Sequence, residues 1–233
     1  MTWNTASEGE QVATVDAHAR VIGSGSSLEW QEVPRPPGDT APPGHETILF
    51  RSHDRMFSCG FWRRVPETGA LEPPFHEIMC LLEGSVAVDR RDGSTLSLGP
   101  GDVLAAPHGS RATWRSLAPV RKFWAVHHGP PEARDAEALL GPDVRSVGPA
   151  VAFESAEGSF RAGLWRCSGG EEELGEDLDR VWLVLEGGLE VAVGSSRVEG
   201  GPGDVVIAPA GARGRWRGEP GTLAFWATYA SAG

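Results

Sequence analysis

Lysine and tyrosine each occur once in the 233 residues, and cysteine and methionine three times each. Basic side chains number 21 against 32 acidic ones, a net charge of −11. That balance argues against non-specific nucleic-acid binding, which needs Lys and Arg to displace counterions from phosphate. The cysteines, Cys59, Cys80 and Cys167, are odd in number and lie in apolar, strand-like stretches. They do not suggest a disulfide framework and fit reduced, buried thiols. No run approaches the roughly 20 apolar residues that a membrane span requires. The first ten residues lack the basic start and apolar core of a signal peptide, so the expectation is a soluble, cytoplasmic protein with no membrane partner. Gly-x-Ser-x-Gly and phosphate-loop motifs are absent, and Cys80 has no evident His partner, so nucleophilic catalysis has little support.

What the chain has in quantity is glycine, 31 residues, and proline, 18 residues. They punctuate short β-rich runs, as antiparallel strands joined by tight turns require. The runs occur twice. Leu82-Glu83-Gly84 returns as Leu185-Glu186-Gly187, and Gly99-Pro100-Gly101-Asp102-Val103 as Gly201-Pro202-Gly203-Asp204-Val205. Pro107, Gly109, Arg111 and Trp114 return as Pro209, Gly211, Arg213 and Trp216. The offset is 103 residues before the central hairpin and 102 after it, which places the lost residue between Asp89–Gly93 and Gly194–Ser196.

The stretch from Phe75 to Trp114 resembles the two signature motifs of the cupin superfamily. Glu77 stands seven residues before Gly84, as in the first motif, and Gly101, Pro107 and Gly109 follow the second until its His position, which holds Ala112. Arg111-Ala112-Thr113-Trp114 with the following Pro119–Trp124 resembles the subfamily named after ureidoglycine aminohydrolase. The resemblance implies an all-β fold of two tandem cupin barrels, each a double-stranded β-helix or jelly roll. The expected divisions are an N-terminal arm over 1–44, a first barrel over 45–128, a linker over 129–148 and a second barrel over 149–233. Ala13 to Ile22 could hold a short strand, and the arm is expected to pack across a barrel or a neighbouring subunit. Within the linker, Glu132 to Leu140 suits a short surface helix.

Cupin metal sites take two His and a Glu from the first motif and one His from the second, a set suited to Mn, Fe, Ni or Zn. Only Glu77 occupies such a position here. Glu72 and His76 could join Glu77 in an alternative cluster at the barrel mouth. Strand alternation opposes this, because Glu77 pointing inward with Met79 and Leu81 sends His76 outward with Ile78 and Cys80. His45, His53, His108, His127 and His128 lack ligand-like spacing and read as surface or turn residues. The second half contains no histidine, and Arg180 stands where Glu77 does. An inward Arg180 needs a partner, either Asp177 or Asp179 or an anionic ligand.

Trp62, Trp114, Trp165, Trp182 and Trp216 recur as aromatics of the two halves, and Trp114 and Trp216 share the inward face of the missing His position. Indoles there could stack on a planar ligand or simply fill a small barrel. The leading reading is a bicupin binding a small polar or anionic metabolite, without a cofactor. Glu77, Trp62, Met79 and Trp114 line its first pocket, and Arg180, Trp165, Trp182 and Trp216 its second. Glu77 could also act as a general base if burial raises its pKa. Two rivals stand beside it. One is a metal-dependent enzyme, aminohydrolase-like or oxygenase-like, acting on a ureide or amino-acid-derived metabolite through Glu72, His76 and Glu77. The other is a structural or regulatory homodimer without a small ligand.

Overall fold

The computed structural model describes residues 19–23, 27–33, 42–132, 137–141 and 148–231; the backbone alone is described over 137–140. The strands through the first half are β1 (Arg20–Ile22), β2 (Gln31–Glu32), β3 (His45–Arg51), β4 (Phe57–Arg64), β5 (Thr68–Leu71), β6 (His76–Glu83), β7 (Val86–Arg90), β8 (Thr95–Leu98), β9 (Val103–Ala106), β10 (Ala112–Ser116) and β11 (Val120–His127). The second half continues with β12 (Glu137–Leu140), β13 (Gly148–Glu154), β14 (Phe160–Arg166), β15 (Glu171–Glu173), β16 (Asp179–Glu186), β17 (Leu189–Val193), β18 (Ser196–Gly200), β19 (Val205–Ala208), β20 (Gly214–Gly218) and β21 (Leu223–Tyr229). Among the described residues no helix is long and apolar enough to cross a membrane.

The strands form two jelly-roll barrels with the same internal order. In the first, a sheet ordered β12-β9-β6-β11-β4-β3-β2 faces one ordered β5-β10-β7-β8. In the second, β1-β19-β16-β21-β14-β13 faces β15-β20-β17-β18. All pairings are antiparallel, so each barrel is an all-β jelly-roll sandwich, as the cupin resemblance implies. The repeat extends to the edges in a crossed way. β1, which precedes the first barrel, pairs with β19 of the second, and β12, which precedes the second, pairs with β9 of the first. Each barrel's edge is thereby closed by a strand from the segment leading into the other.

That pairing corrects the expected helix over Glu132–Leu140. Residues 137–140 are a strand, and 133–136 lie outside the described residues. The backbone groups along the β9 edge offer a ladder, and tertiary pairing of that kind overrides a weak local helix preference. Of the short strand expected within Ala13–Ile22, Arg20–Ile22 is present; 13–18 lie outside the described residues.

Local chemistry explains why the repeated motifs survive. In Gly99-Pro100-Gly101-Asp102, the Asp102 carboxylate accepts from the Gly99 amide at 2.7 Å, and Asp204 does the same for Gly201 at 2.9 Å. Both turns hold their third residue, Gly101 or Gly203, at φ +88°, which favours glycine. The central hairpins differ as the offset requires. A loop of three residues, Arg91 to Gly93, separates Arg90 from Ser94, whereas only Gly194 and Ser195 separate the paired Val193 and Ser196.

The core has three layers because the central strands are apolar on both faces. Along β6, Met79 and Leu81 enter the first barrel, while Ile78 and Cys80 enter a seam between the barrels. Phe57, Phe123, Phe160 and Phe225 pack at the centre of that seam, with Phe123 and Phe225 meeting edge to face at 5.5 Å. The interior of the second barrel is built from Trp165, Trp182, Val184, Val206 and Trp226. Cys59, Cys80 and Cys167 are free and buried, and burial pushes the Cys80 thiol up to about 12.

Candidate functional site

The first barrel holds an ion pair inside an aromatic cage. Glu77 on β6 and Lys122 on β11 both face inward, and Lys122 Nζ donates to Glu77 Oε1 at 2.7 Å. The same ammonium lies 3.5 Å from Met79 Sδ and 5.0 and 5.4 Å from the ring centres of Trp62 and Trp114. Those two indoles meet at a right angle, 6.5 Å apart. A register shift between Arg121 and Lys122 brings Lys122 opposite Leu81 on the interior face. The Lys122 and Glu77 side chains are 10% and 13% exposed, so the pair sits just inside the barrel. Glu46, cross-strand from Trp62, stands at the same place. Burial raises its carboxyl above the ordinary range and the Glu77 carboxylate adds to this, while Arg51 and Lys122 oppose it. Deeper in, Met79, Leu81, Leu104 and Trp114 leave a cavity of about 10 Å³, room for one water at most.

The second barrel carries the opposite charge and leaves it open. Arg180 takes the Glu77 position, Trp182 replaces Met79, and Ala224 stands where Lys122 does. Trp216 meets Trp165 at 4.8 Å and Trp182 at 5.3 Å. Neither expected partner reaches Arg180. The Asp179 side chain lies on the opposite face of β16 and accepts from the Ala210 amide at 2.8 Å. Asp177 is exposed. No salt bridge to Arg180 forms among the described residues, and its Nη1 is buried without a hydrogen-bond partner. Desolvation lowers its pKa and the charge of Glu172 opposes the shift. The guanidinium lies under the exposed loop, where a Cβ placed on Gly175 would come within 3.1 Å of Nη2.

His76 does face away from Glu77, as alternation requires, and the face it joins is the buried seam. Its Nδ1 accepts from the His108 amide at 3.1 Å, its ring stacks on His127 at 5.7 Å, and Phe153 lies 4.8 Å away. His76 Nε2 and His127 Nδ1 are buried without hydrogen-bond partners. His127, expected at the surface or in a turn, is thus a buried strand residue. Desolvation, with a smaller contribution from His76, lowers its pKa to about 4. The sheet therefore separates His76 from Glu77 and does not assemble Glu72, His76 and Glu77. Among the described residues no three His, Cys, Asp or Glu side chains converge to hold a metal ion. The residues present do not fit the metal that the cupin resemblance implies: the one carboxylate at a ligand position already holds an ammonium.

Sequence reasoning missed Lys122 and Glu46. The signal for Lys122 was available, since the chain's one lysine lies in the apolar run Lys122-Phe123-Trp124.

A family model described as EutQ-like cupin domain matches the chain over residues 51–124 and 154–219. Solved structures share the architecture. A protein of unknown function from Pseudomonas syringae pv. tomato is 16% identical, covers 91% of this chain and 100% of its own, and superposes with a TM-score of 0.68. Ylba from Escherichia coli is 13% identical over 93% of each chain, with a TM-score of 0.61. AerE from Microcystis aeruginosa is 11% identical over 88% of this chain and 98% of its own, at 0.57. At these identities the likeness is one of fold. No curated protein matches the sequence.

Proposed function

The chain belongs to the EutQ-like cupin domain family, and from that premise we propose that it is a bicupin that binds a small anionic metabolite in its second barrel, through Arg180. The observation that carries this reading is the buried Arg180 nitrogen with no partner. A cation withdrawn from water without a counter-charge is costly, and a carboxylate in forked geometry removes that cost. Trp182 follows Arg180 by two residues on the same face of β16 and packs against Trp216 at 5.3 Å, so indoles stand next along the barrel interior. The Gly175 backbone passes close over the guanidinium, where a Cβ would come within 3.1 Å of Nη2, so a ligand reaches Arg180 as that loop shifts.

Carboxylates derived from ureides or amino acids suit this arrangement, which is the substrate class that the resemblance to the ureidoglycine aminohydrolase subfamily suggests. Binding is the reading, with no reaction assigned.

The test is calorimetric titration of the protein with formate, acetate, benzoate and succinate, repeated on Arg180→Met. Saturable binding of at least one carboxylate should weaken about tenfold or more in the variant, the order of one charge-assisted contact. Equal affinity in both proteins would remove the reading.

A further inference from the structure

We propose that the first barrel is an organic-ammonium site whose occupant is the chain's own Lys122, and that a free alkylammonium takes the same place when Lys122 is removed or displaced. This goes beyond the anion site of the second barrel and rests on different residues.

Four groups surround the Lys122 ammonium, and each is of a kind that recognises cations. Glu77 accepts a charge-assisted bond at 2.7 Å. Trp62 and Trp114 present their rings at 5.0 and 5.4 Å, within cation–π range and perpendicular to one another. Met79 offers a polarisable sulfur at 3.5 Å. Glu46 adds a second carboxyl whose ionisation responds to both Glu77 and Lys122. Two rings, a thioether and a carboxylate around an ammonium make an aromatic cage, the arrangement used for amine and quaternary ammonium ligands.

The repeat shows that the cage and its occupant change together. Where the second barrel has Ala224 for Lys122, it also has Trp182 for Met79 and Arg180 for Glu77, so the carboxylate goes when the ammonium goes. The two tryptophans remain, as Trp165 and Trp216, still in contact at 4.8 Å. Lys122 is the only lysine, so one side chain accounts for every ε-ammonium signal of the protein.

The cage accepts a ligand only as Lys122 withdraws, because about 10 Å³ is left beside it. Lys122→Ala removes Cγ through Nζ and leaves a volume shaped for an n-propylammonium chain. n-Propylammonium chloride should raise the melting temperature of Lys122→Ala saturably, relative to sodium chloride at equal concentration, and should shift wild type less, because there it must displace Lys122. Lys122→Ala/Glu77→Gln should bind n-propylammonium about tenfold or more weakly, since the charged acceptor is gone. A folded Lys122→Ala that shows no shift beyond the sodium control would overturn the proposal. Wild type supplies a measurement that needs no variant. Acetylation of Lys122, followed on its peptide by mass spectrometry, should be slow and should accelerate with tetramethylammonium, which displaces the side chain without consuming reagent. A rate indifferent to tetramethylammonium would also count against the proposal.

Discussion

The two barrels share one scaffold and carry opposite electrostatic designs. The first closes its charge internally, with Glu77 and Lys122 at 2.7 Å inside a cage of Trp62, Trp114 and Met79. The second packs Trp165, Trp182 and Trp216 against one another and carries Arg180 on the same strand face as Trp182, with no hydrogen-bond partner for its Nη1. Strand order, turn glycines and seam phenylalanines are held in common. Duplication therefore preserved what the fold needs and released the inward positions at the barrel mouths, where substitution changes binding chemistry at little structural cost.

The seam is where the halves should behave most alike, and there the largest effects are expected. Phe123 and Phe225 occupy equivalent places, are fully buried and touch each other. Phe123→Ala and Phe225→Ala should each cost about 3–5 kcal/mol in denaturant unfolding. Unequal costs would mean that one barrel leans on the other.

The interiors should diverge. Breaking the Glu77–Lys122 pair by Glu77→Gln or Lys122→Met leaves a mostly buried charge unpaired and should cost about 2–4 kcal/mol, while the double variant should return to within about 1 kcal/mol of wild type. Arg180→Met should cost less than about 1 kcal/mol or stabilise, because no internal partner is lost. A penalty for Arg180→Met as large as that for Lys122→Met would erase the distinction.

The seam also carries a difference in titration. The first half contributes His76 and His127, and the second contributes Asp179 and Tyr229 at the equivalent places. His127 titrates at about 4 in the folded protein against 6.5 when unperturbed. The unfolded chain takes up the proton first, so stability is full above pH 6.5, declines as pH falls toward 4 and levels below that. His76 is shifted the same way, by desolvation first. Glu132, Glu157 and Asp54 face this pair and moderate the loss, and His108 and His128 add to it. We expect a fall of about 1–2 kcal/mol across that window, largely abolished in His127→Phe. Burial shifts Asp179 upward, so its contribution runs the other way and grows more favourable as pH falls. Urea melts at a series of pH values separate the two, because Asp179→Asn should leave the histidine-dependent decline intact.

The duplication and the inward register of Glu77 and Arg180 could be read from spacing, because turn glycines and strand alternation are local, whereas the barrel class came from the resemblance to the cupin motifs. Lys122 could not be paired with Glu77 in the same way, since 45 residues separate them and a bulge sets the register that joins them. His127 looked like a turn residue because the layer that buries it comes partly from Phe160 and Tyr229 of the other barrel. β12 was hidden for a related reason: its partner strand, β9, belongs to the preceding barrel.

One calorimetric experiment bears most directly on the contrast. A carboxylate that binds wild type is titrated into Arg180→Met and into Glu77→Gln/Lys122→Met. The account predicts that binding is lost in the first and unchanged in the second. Binding retained by Arg180→Met, or lost when only the first barrel is altered, would contradict it.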